Sequence, residues 1–538
     1  MLSLLTTKKY KNRLGLILLN LGLCLGCDSL LSHKAVSAEE ILLNYGPLEF
    51  SLSVESLEIY AKEGKITGKL KDYARLLTPE QLDQLQKALV TSAEVTPLAV
   101  AQFLYSTQGE KILEQVGQIV QTKARQPGFY AIRSALILSA AEEEGLTPLN
   151  ILQNFPTYGI RLNSDRGFKI IENLSNIIQR TASAIATVEA TALREREAQT
   201  LPNTVPVPNF LSPGSVTFRT QTLTLRDRDR NRVFPVELYL PQRQNSMSRL
   251  PLVVISHGLG SDRSTFAYLA EHLASHGFAV AVPEHPGSNY RQINALFNGL
   301  AHDVTPPEEL IDRPKDIKFL LDYLAAEYGD GLDVNHVGII GQSFGGYTAL
   351  AVAGAELNFT QLERDCPNLD DSLNVSLLLQ CISLNLPEKN YKLEDRRITA
   401  AIAINPLTSS IFGEAGMGEI EIPTMIISGS ADPVTPALPE QIQPFTWLTT
   451  SEKYLALLRG GTHFSTLNES SGSIPVPEQA IGPDPKVARD YVKQLSLIFF
   501  ATYVDRQSEY KPYLSADYAD RISKSLLPLN LVNSLVLE

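Results

Sequence analysis

Residues 334–350 read V-N-H-V-G-I-I-G-Q-S-F-G-G-Y-T-A-L, and they constrain the fold more than any other stretch. Val337, Ile339 and Ile340 form a β-branched run expected of a buried strand. Gly341-Gln342-Ser343-Phe344-Gly345 follows at once, and the small apolar residues 347–354 continue as a helix. A strand, a sharp G-x-S-x-G turn and a helix together lift a serine hydroxyl clear of a sheet. The turn needs glycine at 341 and 345 because the backbones come too close for a Cβ. The helix N-terminus beneath Ser343 favours negative charge developing there.

A chain of 538 residues is too long for one core, so two or three domains are expected. With 44% hydrophobic and 20% charged residues, wholesale disorder is excluded. The net charge of −12 argues against a nucleic-acid partner, which would require a basic face.

Residues 1–38 read as a signal peptide. Lys8, Lys9, Lys11 and Arg13 precede the apolar run 14–25, and Val36-Ser37-Ala38 suits small-residue cleavage. The protein is therefore expected to be exported, to a periplasmic or extracellular setting. The alternatives are a membrane anchor, for which the run is short, and lipidation at Cys27, where Cys24 stands in place of the usual leucine. Cys366 and Cys381 are the cysteines left after this segment, and an oxidising compartment would join them in a disulfide.

Residues 39–200 read as a mainly helical accessory domain. Thr78-Pro79-Glu80-Gln81 is a capping-box start, and Thr96-Pro97 and Thr147-Pro148 repeat the signal. The stretch 41–54 is an extended lead-in or a strand, and 167–197 a further helix. Four prolines in 201–214 mark a linker. From 215 to 510 an opening hairpin gives way to strand–helix alternation, which predicts an α/β fold: a mostly parallel sheet with helices on both faces. The charged turn between the hairpin strands, 226–232, reads as a solvated tip. Residues 356–397 interrupt the alternation and read as a cap insertion over the site. Residues 511–538 read as a C-terminal tail.

Hydrolysis of an ester through serine requires a base, and the base requires an orienting carboxylate. After Ser343 the order should be acid, then histidine, each just past a strand. Asp432 follows the strand 423–428, and His463, the last of eight histidines, follows the strand 453–458. The segment His257-Gly258-Leu259-Gly260 closes the strand 251–256. Backbone N–H groups of Leu259 and Phe344 would form the oxyanion hole, each contributing on the order of 3–4 kcal/mol to the barrier. His257 itself reads as a loop-holding residue. No phosphate-loop motif and no metal-ligand spacing is present, so no cofactor and no metal are expected.

These motifs carry a resemblance. Residues 253–260, Ala274-Ser275-His276-Gly277-Phe278, Glu284-His285 and the elbow with Phe344-Gly345-Gly346 resemble platelet-activating-factor acetylhydrolases. The likeness extends to dienelactone-hydrolase-like and polyester-hydrolase-like members of the α/β-hydrolase superfamily, and covers roughly 216–503. It implies the α/β-hydrolase fold and a cofactor-free serine esterase acting on acyl esters. In the acetylhydrolases the acid follows the sixth strand, where this chain has Asn405. Asp432 instead sits at the commoner place after the seventh. The N-terminal region resembles the helical domain ahead of some cyanobacterial hydrolases.

The expected function is an exported carboxylic-ester hydrolase using Ser343, Asp432 and His463 on a small-molecule or lipid ester. The helical domain or the cap would supply any envelope or membrane-surface association. The alternative is a catalytically silent binding protein of the cell envelope on the same fold.

Overall fold

The structure, a computed structural model, describes residues 37–45, 48–93, 95–198, 208–242, 249–371, 374–468 and 478–537. Residues 1–36 of the export segment and residues 201–207 of the linker lie outside them. The described chain forms two compact units, 37–101 with 113–167, and 102–112 with 168–537.

The first unit contains β1 (Glu40–Tyr45), β2 (Leu48–Ser53), β3 (Val120–Thr122) and β4 (Gly159–Leu162) in the order β2-β1-β4-β3. The strand option for 41–54 holds, as β1 and β2, while β3 and β4, three and four residues long, were missed by the mainly helical reading of 39–200. All three Thr-Pro starts do form helices, and Thr78 and Gln81 make the reciprocal capping box. Leu57, Tyr60, Ala61, Leu70, Leu89 and Leu149 form a small core.

The second unit is built on nine strands: β5 (Phe218–Asp227), β6 (Arg232–Pro241), β7 (Leu250–Ser256), β8 (Ala279–Pro283), β9 (Leu332–Gln342), β10 (Ile398–Ile404), β11 (Thr424–Gly429), β12 (Lys453–Leu458) and β13 (Leu529–Val532). Their order is β13-β12-β11-β10-β9-β7-β8-β6-β5. The run from β8 to β12 is parallel, while β5, β6 and β13 join antiparallel. Strand side chains alternate between two cores. Val254, Ile339, Ala403, Ile426 and Leu457 face one, and Val253, Ile340, Ile402, Ile427 and Ala456 the other. Both faces are apolar because helices cover both. This is the doubly covered, mostly parallel sheet expected of an α/β-hydrolase.

Two boundaries are corrected. The long helix Ser164–Ala198 is not wholly accessory: Ala184, Val188 and Ala192 enter the hydrolase core, and Glu189 pairs with Arg459 at 3.0 Å. Residues 511–538 are not a tail: Ala516–Ile522 is a helix and β13 pairs with β12. Insertion 356–397 folds as short helical turns whose Leu362, Ile382, Leu386 and Leu393 join the main core. A disulfide joins Cys366 to Cys381 within it.

The hairpin turn is also not a solvated tip. Arg230 bonds Asp227 at 2.7 Å, Asp312 at 3.0 Å and Asp316 at 2.9 Å. Arg232 bonds Asp316 at 2.8 Å and Glu309 at 2.7 Å. Their partners lie on the helix Glu309–Tyr328, some eighty residues downstream, and Asp316 is fully buried. That helix carries Pro314 inside it. Proline has no N–H to offer the carbonyl four residues back. The freed Leu310 carbonyl instead accepts the Tyr347 hydroxyl at 2.7 Å, tying this helix to the one behind Ser343.

Candidate active site

Five consecutive parallel-sheet ends converge: β7 leads to His257, β9 to Ser343, β10 to Asn405, β11 to Asp432 and β12 to His463. In open α/β sheets ligands bind outside these carboxyl ends. Ser343 lies at φ 57°, ψ −118°, a region that costs a non-glycine residue on the order of 1–3 kcal/mol. The turn is too tight for side chains at its glycines. A Cβ on Gly341 would overlap the carbonyl of Gly345, and one on Gly345 the carbonyl of Ser256. The Ser343 N–H is anchored to the Ile404 carbonyl at 2.8 Å.

The structure brings the three expected residues together. The Ser343 hydroxyl donates to His463 Nε2 at 2.9 Å, and His463 Nδ1–H donates to Asp432 Oδ2 at 2.7 Å. Asp432 Oδ1 accepts from the N–H groups of Val434 (2.7 Å) and Thr435 (2.8 Å), and Oδ2 also accepts from the Thr435 hydroxyl at 2.8 Å. Donors on both oxygens fix the carboxylate's plane. All three residues are buried, with Ser343 only 7% exposed.

The loop after β7 lies against the serine. A Cβ on Gly258 would lie 2.5 Å from Gln342 Oε1 and 3.5 Å from the Ser343 Cβ, so the loop passes within van der Waals reach of the serine and its neighbour. Gln342 spans the site, its side-chain amide donating to the His463 carbonyl at 3.1 Å. Phe344 is the first residue of the helix Phe344–Val352, where backbone N–H groups have no intrahelical partner. Among the described residues, neither the Phe344 N–H nor the Leu259 N–H donates a hydrogen bond. Two unsatisfied donors on adjoining segments suit a developing oxyanion.

A buried polar scaffold stands behind that loop, and His257, expected to hold the loop, belongs to it. His257 Nε2 accepts from the His285 N–H at 3.0 Å, which leaves Nδ1–H to donate to the Gly258 carbonyl at 2.7 Å. His285 Nδ1–H donates to Asp316 at 2.9 Å, and its Nε2 accepts from the Ser256 hydroxyl at 3.1 Å. Burial, with Arg313 next, holds both histidines well below the usual imidazole range, so both are neutral. Arg313 is fully buried, and that burial draws it down to about 9, still a cation at neutral pH. These partners are distant in sequence, so no local pattern could reveal them. Asn405 was legible only as a missing acid. In the structure its Oδ1 accepts from Gly429 N–H and its Nδ2 donates to the Thr462 carbonyl at 3.2 Å.

The insertion connects to this region through Glu440, a fully buried carboxylate. It accepts from the N–H groups of Thr408 (2.7 Å) and Ser409 (3.0 Å), and from Ser376 (2.9 Å) and Gln380 (3.0 Å) of the insertion. A cavity of about 560 Å³ lies alongside, lined by Leu377, Pro436, Leu438 and Arg180 among others. No triad side chain lines it; its nearest link is Pro436, adjacent to Thr435. No group of His, Cys, Asp and Glu among the described residues could hold a metal ion.

Comparison with known proteins agrees with this architecture. A family described as an α/β hydrolase of unknown function matches residues 37–163, and the isoform II family of platelet-activating factor acetylhydrolase matches residues 233–296. The platelet-activating factor acetylhydrolase of Canis lupus familiaris is 28% identical over 148 aligned positions, covering 21% of this chain and 33% of the relative. That of Bos taurus is 26% identical with the same coverage. The chain thus matches about a third of these relatives' length. It carries an α/β-hydrolase fold, and in the opening strands of that fold it is similar to platelet-activating factor acetylhydrolases.

Proposed function

We propose that the protein is an exported serine hydrolase that cleaves carboxylic esters of acyl or lipid type. The observation that carries the reading is the continuous line of hydrogen bonds from Ser343 through His463 to Asp432, at 2.9 and 2.7 Å. His463 Nε2 takes the hydroxyl proton as Ser343 Oγ bonds to the ester carbonyl carbon. The carbonyl oxygen becomes an oxyanion held by the N–H groups of Leu259 and Phe344. On collapse the C–O bond to the alcohol breaks, His463 returns the proton to the departing alkoxide oxygen, and an acyl-serine remains. Water, deprotonated by the same imidazole, then releases the acid and restores Ser343. Asp432 keeps Nδ1 protonated and balances the transient imidazolium.

The apolar lining beside Pro436 and Leu438 supports a hydrophobic acyl or alcohol portion reaching toward the insertion. Export rests on the basic and apolar pattern of residues 8–25. The test is a panel of p-nitrophenyl esters of increasing acyl length, with a fluorophosphonate probe and Ser343→Ala as control. Turnover and labelling should both vanish in the variant. Equal turnover by Ser343→Ala overturns the reading, and an unlabelled, inactive wild type favours the silent binding protein.

A further inference from the structure

We infer that Arg313 is a positioning residue for the oxyanion hole, one buried guanidinium setting the spacing between the Leu259 and Phe344 N–H groups. This rests on the esterase reading above. The two donors belong to separate segments, the loop after β7 and the helix after β9. A hole made from two segments works only if their separation is held, since a displaced donor no longer meets the oxygen. Arg313 belongs to neither segment and grips both.

On the loop side, Nη2 donates to the His257 carbonyl, two residues before Leu259, and to the Ser256 hydroxyl at 3.3 Å. Nη1 donates to the Ser288 hydroxyl at 3.1 Å, and the Ser288 carbonyl accepts the Gly260 N–H at 2.9 Å. The loop is therefore held on both flanks of Leu259. On the helix side, Nε donates to the Thr348 hydroxyl at 3.2 Å, and the guanidinium carbon lies 4.4 Å over the ring of Phe344. Phe344 is itself the second donor residue. The planar fork matters here: its donors point in fixed directions to four separate acceptors while its face covers a ring. A lysine ammonium presents one point charge and cannot span them.

Burying a cation among mostly neutral acceptors is costly, and Glu309 and Asp316 only partly offset it. Packing alone would be served by an apolar side chain. The placement is explained if the cation fixes where the two N–H groups point.

The test uses the full-length protein with Arg313→Lys and Thr348→Val, active sites being counted by fluorophosphonate labelling. Turnover per labelled site should fall roughly ten- to a hundredfold in Arg313→Lys, less than removal of a donor outright, with KM little changed. Affinity for an aryl trifluoromethyl ketone, whose adduct carries the same oxyanion, should fall in step. Thr348→Val should show the same pattern more weakly, and decides the matter if Arg313→Lys does not fold. Lower melting temperature with unchanged turnover per labelled site, or a change confined to KM, overturns the inference. An active Ser343→Ala would instead sink the esterase reading beneath it.

Discussion

Asn405 Oδ1 accepts the Gly429 N–H at 2.8 Å, at the point where two neighbouring strands end. This side chain stands where the similar acetylhydrolases are expected to carry their acid. Here it staples the loop bearing Asp432 to the loop bearing His463 through the Thr462 carbonyl. Asp432→Asn should lower turnover by about 10⁴, because the wrong imidazole tautomer results. Adding Asn405→Asp should not restore it, since the 405 side chain faces Gly429 N–H and Thr462, not His463 Nδ1. Recovery in the double variant would show that the acid can occupy either strand end.

Acid should unfold the protein early. His257, His272 and His285 are buried and held neutral, His272 down to about 3. The unfolded chain binds protons at these sites below about pH 6.5, while the folded chain does not. Stability is therefore complete above that pH and lost as pH falls, by about 1.4 kcal/mol per unit for each histidine. Urea melts at pH 7, 6 and 5 measure this. An unchanged midpoint across that range contradicts it.

Removing one partner from the buried ion cluster should be severe. Asp316→Asn leaves Arg230 and Arg232 short of charge and should cost about 3–5 kcal/mol. The loss should appear as a lower urea midpoint. A cost below about 1 kcal/mol would mean the cluster behaves as an exposed one.

The disulfide should act locally. Its half-cystines are 15 positions apart, and closing such a loop is worth about 3 kcal/mol of unfolded-chain entropy. Replacing Cys366 and Cys381 by serine should raise proteolytic cleavage between them while turnover of a short acyl ester persists. Loss of short-ester turnover would tie the insertion to the triad more closely than Glu440 alone does.

Ser343, Asp432 and His463 were legible because the chemistry dictates their order and the sheet dictates their place at strand ends. The central strands were legible because burial on both faces leaves continuous apolar runs. The hairpin turn at Arg230 misled because whether such charges are solvated depends on Asp312 and Asp316, which no local window contains. Strands β3 and β4 were obscured because three and four residues are too few to show alternation. Arg313 was hidden for a related reason: a cation in a charged helix is ordinarily outward-facing, and only the fold turns it inward.

The last strand has a practical bearing on any shortened form of the protein. Leu529–Val532 covers the outer edge of the strand that delivers His463, along Leu455 to Leu458. A chain trimmed at residue 510 would expose that row of backbone donors and acceptors, flanked by leucines, as a template for strands of other molecules. Its failure would then be self-association that worsens with concentration, and diluting the sample would change the outcome where adding substrate would not.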